Sequence, residues 1–154
     1  MRLLREVLAL AGLLYQLAVI WTAWPALPSR VPTHFGISGR PDAFGDKSSL
    51  FLLPAVTIAL YTLLTVLSFF AQTFNYPVRV TDENRPRLHA LGVTLVGWLK
   101  AELVWIFAYL CVSSIAVAEG RVAGLSPAFL AIALGVTAVT TLVVVARMRR
   151  EATG

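Results

Sequence analysis

The chain has 154 residues, of which 58% are hydrophobic and 14% charged, where an ordinary soluble domain has about 45–50% apolar and about 25% charged residues. That composition excludes a soluble globular domain. It also argues against a nucleic-acid partner, because the formal charge of +5 is scattered between apolar runs instead of forming the continuous basic face such partners require.

The first element is an apolar stretch from 7 to 24, inside a charge-free interval between Glu6 and Arg30. At about 1.5 Å per residue it is long enough to cross a hydrocarbon core of about 30 Å. It follows Arg2 and Arg5 as a signal peptide would. Its apolar part exceeds the usual ~7–15 residues, however, and prolines crowd the region where a peptidase would cut, which predicts an uncleaved anchor. The second span is expected over 50–72, with Ser48 and Ser49 available as caps and Pro54 near the first turn. A third is expected over 91–118 and a fourth over 127–147, the latter opened by Ser126-Pro127 and closed by Arg147, Arg149 and Arg150. The predicted fold class is therefore an all-α integral membrane protein, a bundle of four transmembrane helices in a single domain covering 1–154.

Basic residues on alternate sides set the expected direction, since Lys and Arg are retained in the cytoplasm during insertion. With the N-terminus inside, Arg2, Arg5, Arg79, Arg85, Arg87, Arg147, Arg149 and Arg150 are cytoplasmic, and Arg30, Arg40, Lys47 and Arg121 lie outside. Both termini are then cytoplasmic. The loop 25–49 faces the exterior, and 73–90 faces the cytoplasm. The lone Cys111 sits in an apolar run, so neither an intrachain disulfide nor a multi-cysteine metal site is expected.

The loop between the first two spans holds four prolines (Pro25, Pro28, Pro32, Pro41) and three glycines (Gly36, Gly39, Gly45). That density forbids a helix and predicts a succession of turns. Val31, Phe35, Ile37 and Phe44 supply apolar anchors that a flexible linker would lack, so the loop is expected to fold over the bundle.

The pattern Leu27-Pro28, Pro32-x-His34-Phe35, Gly39-x-Pro41-Asp42, Lys47 and Pro54 resembles the signature of the bacterial membrane domain-of-unknown-function family 1648. Phe74-Asn75-Tyr76-Pro77-x-x-x-Thr81-x-x-Asn84 is similar to the segment that follows the second span in stand-alone members. That domain also forms the N-terminal part of SdpI-type immunity proteins, which protect cells from a secreted killing peptide and carry further C-terminal spans. The resemblance implies several antiparallel helices in a bacterial cytoplasmic membrane.

Individual residues suggest a site. His34, with Asp42, Asp46 and Lys47 close in sequence, is suited to a pH-sensitive contact, a metal ligand, a proton carrier or an ordinary loop hydrogen bond. His89 is expected on the opposite side, too far to complete a zinc set, so no metal or cofactor is expected. Lys100 and Glu102 interrupt the third span. Two residues apart on a helix, they cannot pair with each other, and each needs water, a headgroup or another helix. Lys100 snorkelling to an interface beside Trp98 is the alternative. Asn75 and Asn84 belong to the cytoplasmic connection, where Asn84 or Thr81 can cap the third helix. Gly92, Gly97 and Gly135 permit close helix approach.

No His-Glu-x-x-His, Gly-x-Ser-x-Gly or phosphate-binding loop occurs, so an enzyme is not expected. The expected function is recognition of an extracellular or membrane-embedded ligand, a peptide or a lipid, through His34, Phe35, Asp42 and Lys47, with immunity or signalling against a toxic peptide as one form of it. The competing reading is a small transporter or lipid-modifying membrane enzyme using Lys100, Glu102 and the polar residues of the outer loop. The bilayer is the expected environment, and a homo-oligomer or a partner membrane protein is compatible with the sequence.

Overall fold

A computed structural model describes residues 2–153. Four helices are present: α1 (Arg2–Ala23), α2 (Leu52–Ser68), α3 (Arg85–Ala118) and α4 (Phe129–Thr153). Strands β1 (Arg30–Phe35) and β2 (Pro41–Asp46) lie between α1 and α2, and a short 3₁₀ helix, Lys47–Phe51, leads into α2. The stretches Arg2–Ala23, Lys47–Ser68, Arg85–Ala118 and Phe129–Glu151 are long and apolar enough to cross a membrane. By that measure the chain is a multi-pass membrane protein.

Chain-adjacent helices run antiparallel, so α1 and α3 run the same way: Arg5 lies beside Gly97, Gly12 beside Val104, and Ile20 packs in one cluster with Ile115. Helix α3 touches each of the others, whereas α4 leans chiefly on α3. This explains why α3 has buried residues on every side and α4 almost none. At about 1.5 Å per residue, α3 is roughly 50 Å long, well beyond a hydrocarbon core of about 30 Å. Its first turns run past the ends of α1 and α2 and are covered by the connection before it, where Tyr76 and Val78 pack on Leu88, Val144 and Met148. Burial pushes the Tyr76 hydroxyl above the usual phenol range, and it donates to Ala71 O at 2.6 Å.

The loop expected to be a succession of turns is instead an antiparallel β-hairpin, so the fold is not purely helical. Its register pairs Arg30 with Asp46, Val31 with Gly45 and Phe35 with Pro41, and it is irregular around His34. Pro32 and Pro41 are tolerated because both strands of a two-stranded ribbon are edges. Gly39 closes the tip at φ 76°, where a side chain would be strained. The hairpin docks on the bundle through Val31, fully buried among Ile20, Leu50, Cys111 and Ile115. Its tip docks through Gly39 O, which accepts from Leu125 N at 2.8 Å. A Cβ on Gly124 would fall on that same carbonyl, so the α3–α4 connection needs glycine there.

Several boundaries differ from expectation for local reasons. Helix α1 begins at Arg2 instead of 7, because Arg5 and Glu6 find partners or cover inside the bundle. Helix α2 begins at 52 after the 3₁₀ turn, capped by Asp46 accepting from Ser48 N at 2.8 Å instead of by Ser48 or Ser49. It ends at Ser68, four residues short of 72. Helix α3 starts at Arg85 instead of 91. Asn84 does not cap its first turn; its side chain accepts from Thr81 N and donates to Arg79 O, folding the preceding turn. Helix α4 starts at Phe129 instead of 127, with Ser126 N donating to the Tyr109 hydroxyl in the connection before it, and continues through the arginines to Thr153 instead of stopping at 147.

The Asp46 cap is pH-dependent. The Ser48 N–H bond holds its carboxyl below the ordinary carboxylate range. A lowered folded-state value means the cap is complete above the unfolded value and is lost as pH falls through the folded one. Amide exchange at Ser48 is expected to stay slow near neutrality and accelerate only below the normal carboxylate range; acceleration already at pH 5 would contradict the cap.

Candidate functional site

At the hairpin end, His34 on β1 donates from Nδ1 to Asp42 Oδ1 on β2 at 2.6 Å, both side chains more than half exposed. Because the Nδ1–H is committed to a carboxylate, Nε2 is left as the interacting atom. Beneath β1 a cavity of about 270 Å³ runs between α2 and α3, lined by His34, Phe35, Leu53, Leu110, Ser114 and Leu125 among others. His34, Phe35 and Asp42 therefore converge. Lys47 does not: it stands at the hairpin base with Nζ 4.5 Å over the Trp24 ring, which also packs on Phe51. Asp46 is likewise turned to Ser48 and not to His34.

At the opposite end of the bundle, Lys100 is 3% exposed and does not snorkel. Its Nζ donates to both Glu6 carboxylate oxygens at 2.7 and 2.8 Å and to Thr65 Oγ1 at 3.0 Å, with the Tyr61 ring 4.4 Å away. Tyr61 in turn donates to Glu6 Oε2 at 2.7 Å. One residue from each of α1 and α3 and two from α2 thus close a network about one turn inside the ends of α1 and α2. A second polar link lies deeper: Gln16, fully buried, donates to Val104 O and accepts from Thr57 Oγ1, both at 3.2 Å.

Glu102 faces away from Lys100, as its spacing requires. Its Oε1 accepts from Thr140 Oγ1 on α4 at 2.5 Å, while Oε2 is buried with no hydrogen-bond partner. Thr140 lies about 10 Å along α4 from Arg147 and about 16 Å from Phe129, so this carboxylate sits within the apolar stretch. Asn84 builds the turn described above. Asn75 is exposed, and the structure brings it to neither cluster. Among the described residues no group of three or more His, Cys, Asp or Glu comes together to hold a metal.

Residues 11–58 match the family model described as Domain of unknown function (DUF1648). This segment comprises most of α1, the whole hairpin and about the first two fifths of α2, so the His34–Asp42 pair and Gln16 lie inside it while Lys100 and Glu102 do not. The chain is also similar to an uncharacterized protein of Archaeoglobus fulgidus, 37% identical in a 76-residue alignment that covers 42% of this chain and 42% of that protein. It thus spans about two fifths of that relative's length. No solved structure matches the chain.

Sequence reasoning missed Glu6, Tyr61, Thr65, Gln16 and Thr57. Each is an ordinary residue in its own helix, and nothing local marks it as a partner. Glu6 was the one with a signal, being an acid at the edge of the first apolar span in a chain whose third span holds an unpaired lysine. Gly12 was overlooked as well, although a Cβ there would lie 2.8 Å from Val104 Cγ1, whereas Gly135 has nothing nearby. Of the glycines expected to aid helix packing, Gly97 receives the Arg5 side chain and Gly92 the Tyr76 hydroxyl.

Proposed function

We propose that this is a recognition protein of the cytoplasmic membrane that captures the apolar side chain or tail of an extracytoplasmic or membrane-embedded ligand in the cavity under its hairpin. The observation that supports this reading best is His34, tethered to Asp42 and standing at the wall of an otherwise mainly aliphatic cavity. Such a combination of one oriented polar group and an apolar recess is how small binding sites fix both affinity and orientation. Immunity against a toxic peptide, as in SdpI-type proteins, is one form this recognition would take. The expected direction, with both termini cytoplasmic, puts the hairpin on the outer side; the excess of arginine at the Arg147 end of the bundle supports it.

A transport pathway through Lys100 is the weaker alternative, because Glu6, Tyr61 and Thr65 close around its ammonium. Among the described residues the buried side-chain polar atom left without a hydrogen-bond partner is Glu102 Oε2, on the other face of α3.

Native mass spectrometry of protein released gently from membranes tests the proposal. A stoichiometric adduct is expected on the wild type, reduced at least severalfold in His34→Ala and to a lesser degree in Asp42→Asn, which keeps an acceptor for Nδ1. Single cysteines at Ser38 and Arg149 report direction, with labelling from outside expected only at Ser38. Equal adduct on all three proteins, or a bare wild type, would remove the hairpin as a binding site.

A further inference from the structure

A continuous groove runs along α3 between α1 and α4. Its half towards the hairpin has a volume of about 380 Å³ and is lined by Trp98, Glu102, Trp105, Tyr109, Phe129 and Ile132 among others. Its other half, about 590 Å³, opens towards Arg5 and Arg147. Trp98, Glu102 and Val136 line both halves. Among the described residues Glu102 is thus the only charged side chain lining the aromatic half, and it stands at the boundary with the basic half.

We infer that the aromatic half of this groove is a binding site for a hydrophobic cation, an amine or onium group carried on an apolar body, with Glu102 as its counter-charge. Three observations support this. First, Glu102 Oε2 is buried and unbonded among the described residues, and a buried carboxylate oxygen without a donor is costly in an apolar setting. A ligand cation would supply what the protein does not. Second, among the described residues no basic side chain is within ion-pair distance of Glu102: Lys100 is committed to Glu6 on another face. Arg5 and Arg147 border only the other half of the groove. Those two guanidinium groups repel a cation from the basic half and leave the aromatic half as the place where it settles. Third, the walls on that side include the indoles of Trp98 and Trp105 and the phenol of Tyr109 among aliphatic side chains, and aromatic rings of this kind favour cations at short range; Tyr109 and Phe129 stack at 4.1 Å to close its end. Because α4 leans chiefly on α3, the groove is open along its α1 side, which provides access from the lipid layer.

Tetraphenylphosphonium and its anionic counterpart tetraphenylborate, similar in shape and opposite in charge, test the assignment on full-length protein in nanodiscs, with indole fluorescence as readout. Saturable binding of the phosphonium is expected. It should weaken at least tenfold in Glu102→Gln and recover partly in Glu102→Asp, and the borate should not compete. Should Glu102→Gln fail to insert, Ala133→Phe, which narrows the groove from α4 without touching the carboxylate, is expected to weaken phosphonium binding while His34-dependent adducts persist. Equal phosphonium affinity in wild type and Glu102→Gln, or in wild type and Ala133→Phe where that variant is the one used, would overturn the inference. So would borate competing as well as the phosphonium, or a tightly held lipid that the phosphonium does not displace.

Discussion

Replacing Lys100 with Met is expected to destabilise the bundle by about 3 kcal/mol, the lower part of the range for breaking one side of a buried ion pair. Lys100 is almost wholly buried, and its ammonium is the shared donor for Glu6 and Thr65. Without it, Glu6 keeps only the Tyr61 hydroxyl. The loss stays at the lower end because the Glu6 side chain retains about a third of its exposure and can recover some solvation. Adding Glu6→Gln to Lys100→Met is expected to restore more than half of the loss, since the uncompensated charge is then gone. Reversible unfolding in mixed micelles measures both variants. If the double variant is as unstable as the single one, packing around the lysine stem, and not the charge, holds the three helices together.

The second large effect is expected at Gly12. Helix α1 lies close enough to α3 there that a Cβ would meet Val104 Cγ1 at 2.8 Å and the Trp105 ring at 3.3 Å. Trp105 bridges the same helices, donating from Nε1 to Leu8 O at 3.1 Å and stacking on Tyr15. Gly12→Leu must therefore push the helices apart or displace the indole, at a cost of about 2–3 kcal/mol for an overpacked core. Gly135→Leu on the open flank of α4 is the matched control and is expected to be near neutral, because nothing lies within 4 Å of a Cβ there. A lower unfolding midpoint and a shifted Trp105 emission in Gly12→Leu, with neither in Gly135→Leu, are the expected results. Equal behaviour of the two would mean that α1 and α3 do not approach this closely.

Much of the architecture is readable in the sequence because it depends on local quantities. Apolar length identifies four spans without knowledge of their neighbours, and proline and glycine density shows that 25–49 is no helix. The same density misleads about what the segment becomes. Whether a chain with Pro32 and Pro41 forms turns or a ribbon depends on whether each missing N–H faces a partner, and here the edges of a two-stranded sheet need none. For the site, the spacing of Lys100 and Glu102 is enough to show that they face apart, and the proximity of His34 and Asp42 in sequence allows their pairing. Lys47 is equally close in sequence yet turns to Trp24, because the hairpin register places it at the base beside Arg30 and Asp46.

The sequence by itself thus determined the spans, the uneven basic charge at their ends, the folded segment between the first two and the opposed directions of the two intramembrane charges. All are properties of a few consecutive residues and of helical periodicity. Only the tertiary structure decided what those charges meet. Lys100 and Glu6 are 94 residues apart and Gln16 and Thr57 are 41 apart, so their pairing exists only once three helices pack in one rotation and depth. The same packing closes every polar atom around Lys100 and leaves one oxygen of Glu102 facing an aromatic groove, a difference set by the fact that α1 and α2 cover one side of α3 while α4 alone covers the other.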